Sequence, residues 1–233
     1  MTKLGIIGAM DIEVQTLVQQ LQDLSVTQKA GSEYYEGTLQ GLSVVVVRCG
    51  IGKVNAAICT QILCDCFDVT HIVNTGIAGS LCAQQDIGDL VVSQDVIHHD
   101  FDCVAFGYPM CNIPGMPKSF PADPALIRAA QEAAAQTGGT VRVGTVASGD
   151  QFVADGALKE QIISRTAALC TEMEGAAIAQ TAYRNGVPFV ILRCISDKAD
   201  SSAEMDYPSF EKLAAQRCAQ VTCTLAQYLN EIQ

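Results

Sequence analysis

The sequence has no apolar stretch that approaches the ~20 residues a helix needs to cross a membrane. We expect no signal peptide, since the apolar run after Lys3 is short, broken by glycine and soon followed by Asp11 and Glu13. Basic residues are few: 14 Lys and Arg are scattered against 25 Asp and Glu, for a net charge of −11. Nucleic acid and anionic membranes require clustered basic residues, so neither is an expected partner. We expect a cytoplasmic protein that binds a small ligand of little charge.

Two phosphate-binding motifs are also missing. No G-x-G-x-x-G pattern follows the first predicted strand or the strand at residues 71–74, which disfavours a dinucleotide-binding Rossmann enzyme. The segment from Gly50 to Lys53 is too short for a P-loop, and Val54 stands where Ser or Thr would coordinate magnesium. We interpret these glycines as positions where the backbone approaches a neighbour or a ligand closely.

No metal or cofactor is expected either. The 11 cysteines lie in or beside apolar runs without a repeated spacing, which indicates reduced thiols in the core. Cys64 and Cys66 resemble half of a metal site, but no second pair and no nearby histidine supports that interpretation. The cluster from His98 to Asp102 contains possible ligands, and we favour its interpretation as a polar loop after a strand.

The length and composition of the chain predict one α/β domain over residues 1–233, with 49% hydrophobic residues to fill a core. Strands are predicted at residues 3–8, 33–39, 42–48, 71–74, 88–97, 141–147, 167–170 and after Gly186. Helices are predicted after Asp11, from Gly50 to about Cys66, from Asp123 to Gly138, at residues 158–163, around residues 171–180 and from Pro208.

Some local expectations are more specific. Residues 75–80 read as a glycine-rich turn, and the irregular segment 106–121 reads as a loop that covers a site or meets a partner chain. Glu172 and Glu174 are expected at the front of a helix, and Asp197 after a buried strand. The last helix is expected to bury one apolar stripe: Phe210, Leu213, Ala214, Val221, Leu225 and Tyr228.

Taken singly, the candidate site residues are ambiguous. Glu13, in the first turn of a helix, is either a favourable charge at the helix N-terminus or a functional carboxylate at the end of a strand. The sequence alone favours the first interpretation. Phe152 after a strand either stacks on a base or caps the core, and core packing is favoured for it in isolation.

An ordered set of motifs changes that balance. Its members are Gly5-Ile-Ile-Gly-Ala-Met with Glu13, Gly50-Ile-Gly-Lys-Val-Asn-Ala-Ala, Asn74-Thr-Gly-x-Ala-Gly, Ala105-Phe-Gly-Tyr, Ser148-Gly-Asp-x-Phe, Glu172-Met-Glu and Ile195-Ser-Asp-x-Ala-Asp. In order and spacing the whole chain resembles the 5′-methylthioadenosine/S-adenosylhomocysteine nucleosidases of the nucleoside phosphorylase superfamily. The resemblance implies a mixed central sheet flanked by helices, a homodimer, no cofactor and hydrolysis of the N-glycosidic bond of adenosine thioethers.

The resemblance also implies roles for particular residues. Asp197 is the acid toward the purine N7, Glu13 activates water, and Glu174 binds the ribose hydroxyls. We expect an apolar site to raise the pKa of Asp197. The remaining implied contacts are Met173 with the sugar, Phe152 and Val153 with adenine, Ser196 with the acid, Ala78 with the substrate, Met10, Ile51 and Tyr207 with the alkylthio group, and Phe106 and Pro114 with the partner subunit's site.

The chain departs from the family pattern at two positions, and two alternative functions are considered. Ile77 stands where some relatives carry Ser, so a side-chain hydrogen bond to the site is lost there. Tyr207 stands where Phe is common, so we expect a more polar alkylthio pocket. A purine nucleoside or uridine phosphorylase would hold phosphate with glycines and arginines, whereas the loop from Gly8 to Glu13 has no Arg and carries a carboxylate. A non-catalytic nucleoside-binding protein would not need both an acid and a base.

Overall fold

The computed structural model describes residues 2–231, apart from the side chains of residues 204 and 205. Within that range the chain forms ten β-strands and six α-helices. The strands are β1 (Lys3–Gly8), β2 (Gln22–Lys29), β3 (Ser32–Leu39), β4 (Leu42–Arg48), β5 (His71–Ser80), β6 (Leu90–His98), β7 (Phe120–Pro121), β8 (Val141–Ser148), β9 (Cys170–Glu172) and β10 (Phe189–Asp197). The helices are α1 (Asp11–Val18), α2 (Lys53–Phe67), α3 (Pro124–Thr137), α4 (Gly156–Thr166), α5 (Gly175–Asn185) and α6 (Ala203–Glu231).

The strands form one mixed sheet that closes on itself at one side. Strands β5, β10, β6, β8 and β9 pair in a ring, since β5 pairs with both β10 and β9. On the other side of β5 the sheet continues through β1, β4, β3 and β2. Helices flank this sheet, so the predicted single-domain α/β fold is confirmed.

The central strands follow from their composition. β1, β4 and β10 are nearly continuous apolar runs, and almost all of their residues are buried, as expected for strands covered on both faces. Helix α3 begins where its sequence predicts, because the Asp123 carboxylate accepts the backbone N–H groups of Ala125 and Leu126, with Pro124 at the first helical position.

Two local expectations are wrong, and strand β2 is not predicted. Residues 75–80 continue β5 instead of turning, because they pair with β10 and β9. Strand β2 has no sequence signal because its residues are polar and mostly exposed. It is held mainly by its pairing with β3. Helix α6 begins at Ala203, so Pro208 lies inside it.

The predicted apolar stripe of α6 is also partly wrong. Phe210 is 36% exposed and Leu213 is 62% exposed, whereas Ala214, Val221 and Leu225 are buried as expected. At the N-terminal half of α6, small residues face the sheet instead: Ala214, Ala215 and Cys218 are buried. These short side chains let the helix pack closely on β5 and β10.

The topology sets where a ligand can bind. β1 is parallel to β4 and β5, and β5 is parallel to β10, so their carboxyl ends share one edge of the sheet. Ligands of α/β sheets bind outside that edge. The segments that follow these strands therefore meet there.

Candidate active site

One pocket lies at this edge and collects residues that are far apart in the sequence. Ten of the predicted site residues line it: Met10, Glu13, Ile51, Ala78, Phe152, Met173, Glu174, Ser196, Asp197 and Tyr207. Its other lining residues are Ala9, Ile77, Gly79, Thr171 and Glu172. Val153 lines a smaller adjoining cavity that Phe152, Met173 and Asp197 share.

Glu13 is fixed in the pocket by backbone donors. It occupies the first turn of α1, where one carboxylate oxygen, Oε2, accepts the N–H groups of Ala9 at 2.7 Å and Met10 at 3.0 Å. The other oxygen, Oε1, accepts the N–H of Ile77 in β5 at 3.1 Å. Glu13 therefore joins the start of α1 to β5, beyond the simple helix-start charge that the sequence favoured.

This arrangement depends on a glycine in β5. A Cβ atom at Gly76 would lie 2.5 Å from Glu13 Oε1 and 2.6 Å from Arg193 Nη1. Real Cβ atoms do not approach neighbours so closely. Glycine at position 76 therefore makes room for the Glu13 carboxylate and the Arg193 guanidinium.

Asp197 ends β10 and is 2% exposed. Its Oδ1 accepts the N–H of Ala199 at 2.8 Å, and its Oδ2 accepts the Ser196 hydroxyl at 2.8 Å. Burial raises the pKa of Asp197, the hydrogen bonds from Ser196 and Ala199 oppose that rise, and the negative charges of Asp206 and Asp200 add to it. The carboxyl group thus keeps its proton to a higher pH than an exposed aspartate, in the predicted direction.

Glu174 lies at the N-cap of α5, one residue before the helix begins. Its Oε1 accepts the N–H of Gly52 at 2.8 Å. Burial raises the pKa of Glu174 to about 8, helped by repulsion from Glu172 and opposed by Arg193. Glu172 itself belongs to β9, so only one of the two carboxylates stands at the helix start.

Glu172 is the centre of a buried polar network. Its Oε2 accepts the N–H groups of Glu174 at 3.1 Å and Gly175 at 2.7 Å, as well as the Arg193 guanidinium. Its Oε1 accepts the Ser148 hydroxyl. Ser148 Oγ in turn accepts a backbone N–H of α5 at 2.7 Å. The network therefore fixes the start of α5 and, with it, the backbone of Glu174.

Arg193 supplies the positive charge of the site. It is 1% exposed in β10, forms an ion pair with Glu172, donates to Asn74 Oδ1 at 2.5 Å, and its Nη2 lies 3.8 Å from Glu174 Oε2. Burial would raise the pKa of Glu172, but the attraction and hydrogen bonds of Arg193 outweigh it, and the pKa is lowered. Burial raises the pKa of Glu13, and Arg193 reduces that rise only in part. Arg193 thus stabilises the ionised form of Glu172 most strongly, whereas the pKa values of Glu13 and Glu174 remain raised.

The apolar wall of the pocket is built from three contacting side chains. Phe152 is half-exposed, and its ring meets that of Tyr207 edge to face with centroids 5.5 Å apart. The Tyr207 hydroxyl donates to Met10 Sδ at 3.3 Å. A ligand can therefore meet an exposed aromatic face and, beside it, a thioether and a phenol.

The chain is similar to known proteins over nearly its whole length. Residues 3–227 match the model of the phosphorylase superfamily. Over 231 residues the chain is 44% identical to the 5′-methylthioadenosine/S-adenosylhomocysteine nucleosidase of Halalkalibacterium halodurans, covering 99% of this chain and 100% of that relative. The chain belongs to this nucleosidase family within the phosphorylase superfamily.

Solved structures of similar proteins share the fold. The Neisseria meningitidis nucleosidase in complex with methylthio-immucillin-A matches with a TM-score of 0.94 at 36% identity, covering 97% of this chain and 99% of that chain. The native futalosine hydrolase of Helicobacter pylori matches with a TM-score of 0.93 at 32% identity, covering 99% of this chain and 98% of that chain.

Two residues implied by the family resemblance lie away from the pocket. Phe106 ends a short 3₁₀ helix (Val104–Phe106) and is 81% exposed, and Pro114 is exposed on the same irregular segment between β6 and β7. Neither lines the pocket of its own chain.

No role is predicted for Arg193, and none for Asn74 and Ser148 beyond their places in motifs. The available signal was Arg193 itself, a charged residue within an otherwise apolar strand. A buried arginine needs carboxylate partners. Glu172, which is expected only at the front of a helix, is that partner.

The histidine pair does not form a polar loop. His98 ends β6 and His99 follows it, and both are buried. His98 Nε2 hydrogen-bonds to Gln180 Oε1 at 3.0 Å, and burial lowers the pKa of both histidines. Among the described residues, no three His, Cys, Asp or Glu side chains converge as metal ligands would.

Proposed function

We propose that this protein hydrolyses the N-glycosidic bond of 5′-methylthioadenosine and S-adenosylhomocysteine, releasing adenine and the 5-thioribose product. One observation carries the proposal: Glu13 and Asp197, two buried carboxyl groups with raised pKa values, line the same pocket. Hydrolysis of a glycosidic bond by inversion requires such a pair. One group is the acid that protonates the leaving group, and the other is the base that activates a water on the opposite face of the sugar.

The proposed chemistry divides between the two groups. Asp197 gives its proton to N7 of the purine, so adenine leaves as a neutral base with the electron pair of the broken C1′–N9 bond. Glu13 accepts a proton from the water whose oxygen adds to C1′. General acid or base assistance typically contributes ~10²–10⁴-fold per group.

Glu174 is proposed to bind the ribose hydroxyls and to stabilise the positive charge that develops on the sugar. Two observations support this role. Glu174 lines the pocket, and three groups hold it there: the Gly52 N–H, Glu172 and Arg193. Hydrogen bonds from the ribose hydroxyls would favour the ionised form of Glu174 and so oppose the effect of burial, which raises its pKa.

The remaining pocket residues are proposed to position the substrate. Phe152 would stack on adenine, the Val153 backbone would bind the base edge, and Ser196 would orient Asp197. The others would contact the sugar and the alkylthio group: Met173, Ala78, Met10, Ile51 and Tyr207. Because the Tyr207 hydroxyl contacts Met10 Sδ, the alkylthio end carries one polar group among apolar ones.

Water is favoured over phosphate as the nucleophile. The Glu13 carboxylate accepts the backbone N–H groups of Ala9, Met10 and Ile77. A phosphate at this place would face a carboxylate instead of free donors. In the nearby guanidinium of Arg193, Nη2 already donates to Glu172 and Asn74.

We further propose a homodimer in which Phe106 and Pro114 reach the partner subunit's pocket. Phe106 is 81% exposed although it is a large apolar side chain. Val54, Ile58, Val104 and Tyr108 are also exposed apolar residues, which supports an interaction surface on this chain. Sedimentation of the purified protein tests this proposal, because a monomer at catalytic concentrations contradicts it.

Adenine release tests the proposed function. The substrates to compare are methylthioadenosine, adenosylhomocysteine, 5′-deoxyadenosine and aminodeoxyfutalosine. We expect release from the first two. Binding of methylthioadenosine without turnover would instead favour a non-catalytic nucleoside-binding protein.

A further inference from the structure

A cluster of charged residues just outside the pocket has no part in the proposed chemistry. Lys53, the first residue of α2, places its Nζ 2.7 Å and 2.8 Å from the two carboxylate oxygens of Asp100. The side chains of Lys53 and Asp100 are only 20% and 19% exposed. Solvent therefore screens this pair less than an ordinary surface ion pair.

Asp150 joins the same cluster. Its Oδ1 accepts the backbone N–H of Lys53 at 2.8 Å, and its own N–H donates to Asp100 Oδ2 at 3.0 Å. Burial would raise the pKa of Asp100, but the Lys53 ammonium and the Asp150 N–H outweigh it, and the pKa is lowered. Asp100 thus bridges the segment after β4 to the segment after β8.

Both bridged segments carry walls of the pocket. On one side, Ile51 lines the pocket and the Gly52 N–H donates to Glu174 Oε1 at 2.8 Å. On the other side, Phe152 and Val153 follow Asp150 by two and three residues.

The connection at Gly52 is tight. Gly52 has a φ of +97°, which favours glycine, and a Cβ there would lie 3.2 Å from Asp150 Oδ1. The position of the Gly52 N–H therefore depends on how Lys53 and Asp150 hold the chain on either side of it.

We propose that Lys53 is a positioning residue, which acts through Asp100 and Asp150 to hold the Gly52 N–H on Glu174 and Phe152 beside the pocket. For its kinetic consequences the proposal rests on the proposed nucleosidase function. Its structural consequence, a rigid junction of the two segments, does not depend on the substrate.

The pKa of Glu174 provides a readout that is specific to the positioning role of Lys53. Glu174 interacts with the Gly52 N–H, with the cation of Arg193, and with three acidic groups: Glu172, Glu13 and the Cys49 thiol. The Gly52 N–H favours the ionised form, so its loss raises the pKa of Glu174. The ionised fraction then falls, and the acidic limb of the kcat/KM profile moves to higher pH.

The experiment compares Lys53→Met with a matched ion pair elsewhere. Lys3 Nζ lies 2.8 Å from Glu36 Oε1, with side chains 27% and 33% exposed, and neither residue lines the pocket. Lys53→Met is expected to lower kcat/KM for methylthioadenosine between about 10- and 100-fold, because loosely held catalytic groups lose their alignment. Lys3→Met is expected to leave it unchanged.

Two further variants separate positioning from general destabilisation. Lys53→Arg keeps a cation that can bind Asp100 through two N–H groups, so it should restore most of the activity. Asp100→Asn should lower activity like Lys53→Met, and the double variant should lose little more, since both act through one contact.

Amide hydrogen exchange supplies the readout that does not need a substrate. We expect faster exchange at the N–H groups of Gly52, Lys53 and Asp150 in Lys53→Met, and unchanged exchange there in Lys3→Met. Unchanged exchange together with an unmoved pH profile overturns the proposal, even if activity falls. If the wild-type protein releases no adenine, the proposed function fails, and the exchange data alone decide the positioning role.

Discussion

Replacing Asp197 by asparagine removes the proposed acid while leaving its surroundings nearly intact. The Ala199 N–H can still donate to the oxygen of the introduced amide. The Ser196 hydroxyl lies 2.8 Å from Asp197 Oδ2 and 3.3 Å from the Ala78 carbonyl oxygen. When the amide nitrogen takes the place of Oδ2, it can donate to Ser196 Oγ, and the hydroxyl hydrogen can turn to Ala78.

This rearrangement keeps a partner for the Ala199 N–H, for the Ser196 hydroxyl and for one N–H of the introduced amide. We therefore expect Asp197→Asn to change the free energy of unfolding by no more than about 1 kcal/mol, the usual net value of one hydrogen bond. The catalytic effect is much larger. An amide cannot give a proton to N7, so kcat should fall by roughly 10²–10⁴-fold, or about 2.7–5.4 kcal/mol of barrier.

Adenine release from methylthioadenosine and thermal unfolding measure the two effects side by side. Asp68→Asn is the matched control, because Asp68 follows α2 before β5 begins, and its left-handed backbone also suits asparagine. Near-normal turnover in Asp197→Asn would refute the assignment of the acid. Lost activity with an unfolded protein would refute the reasoning on the hydrogen bonds.

Three further predictions concern the surroundings of the proposed acid and base. Gly76→Ala should lower stability by about 1–3 kcal/mol and reduce turnover, because the added methyl group overlaps Glu13 and Arg193; unchanged melting and turnover would contradict this. Glu172→Gln should destabilise the fold by about 3–5 kcal/mol in denaturant titrations, since Arg193 loses its closest partner, and a loss under 1 kcal/mol would contradict it. Phe106→Ala should raise KM about 3- to 10-fold and weaken the dimer in sedimentation, whereas an unchanged KM would contradict a role in the partner's pocket.

Much of the fold could be predicted from the sequence because its signals are local. The apolar runs of β1 and β4 and the Asp123-Pro124 start of α3 each identify an element by themselves. β2 could not be predicted, since its residues are polar and its pairing depends on β3. The turn predicted at residues 75–80 is wrong because glycine usually weakens or ends strands, whereas Gly76 is required here by the close approach of Glu13.

The pocket was predictable only as an ordered set of motifs. No single residue distinguished Glu13 from an ordinary helix-start charge, and the family resemblance supplied its expected place. The Glu172–Arg193 ion pair was not anticipated, because the pairing of β5 with β9 and β10 brings these residues together. The Lys53–Asp100–Asp150 cluster depends in the same way on three segments that meet only in the folded chain.

The most direct test of the proposed hydrolysis is the identity of the sugar product. Purified protein is incubated with methylthioadenosine in phosphate-free buffer and, in parallel, with added phosphate, and the products are identified by mass spectrometry. We expect adenine and free methylthioribose at the same rate in both. Adenine release only with phosphate, accompanied by a sugar 1-phosphate, would contradict the proposal that Glu13 activates water.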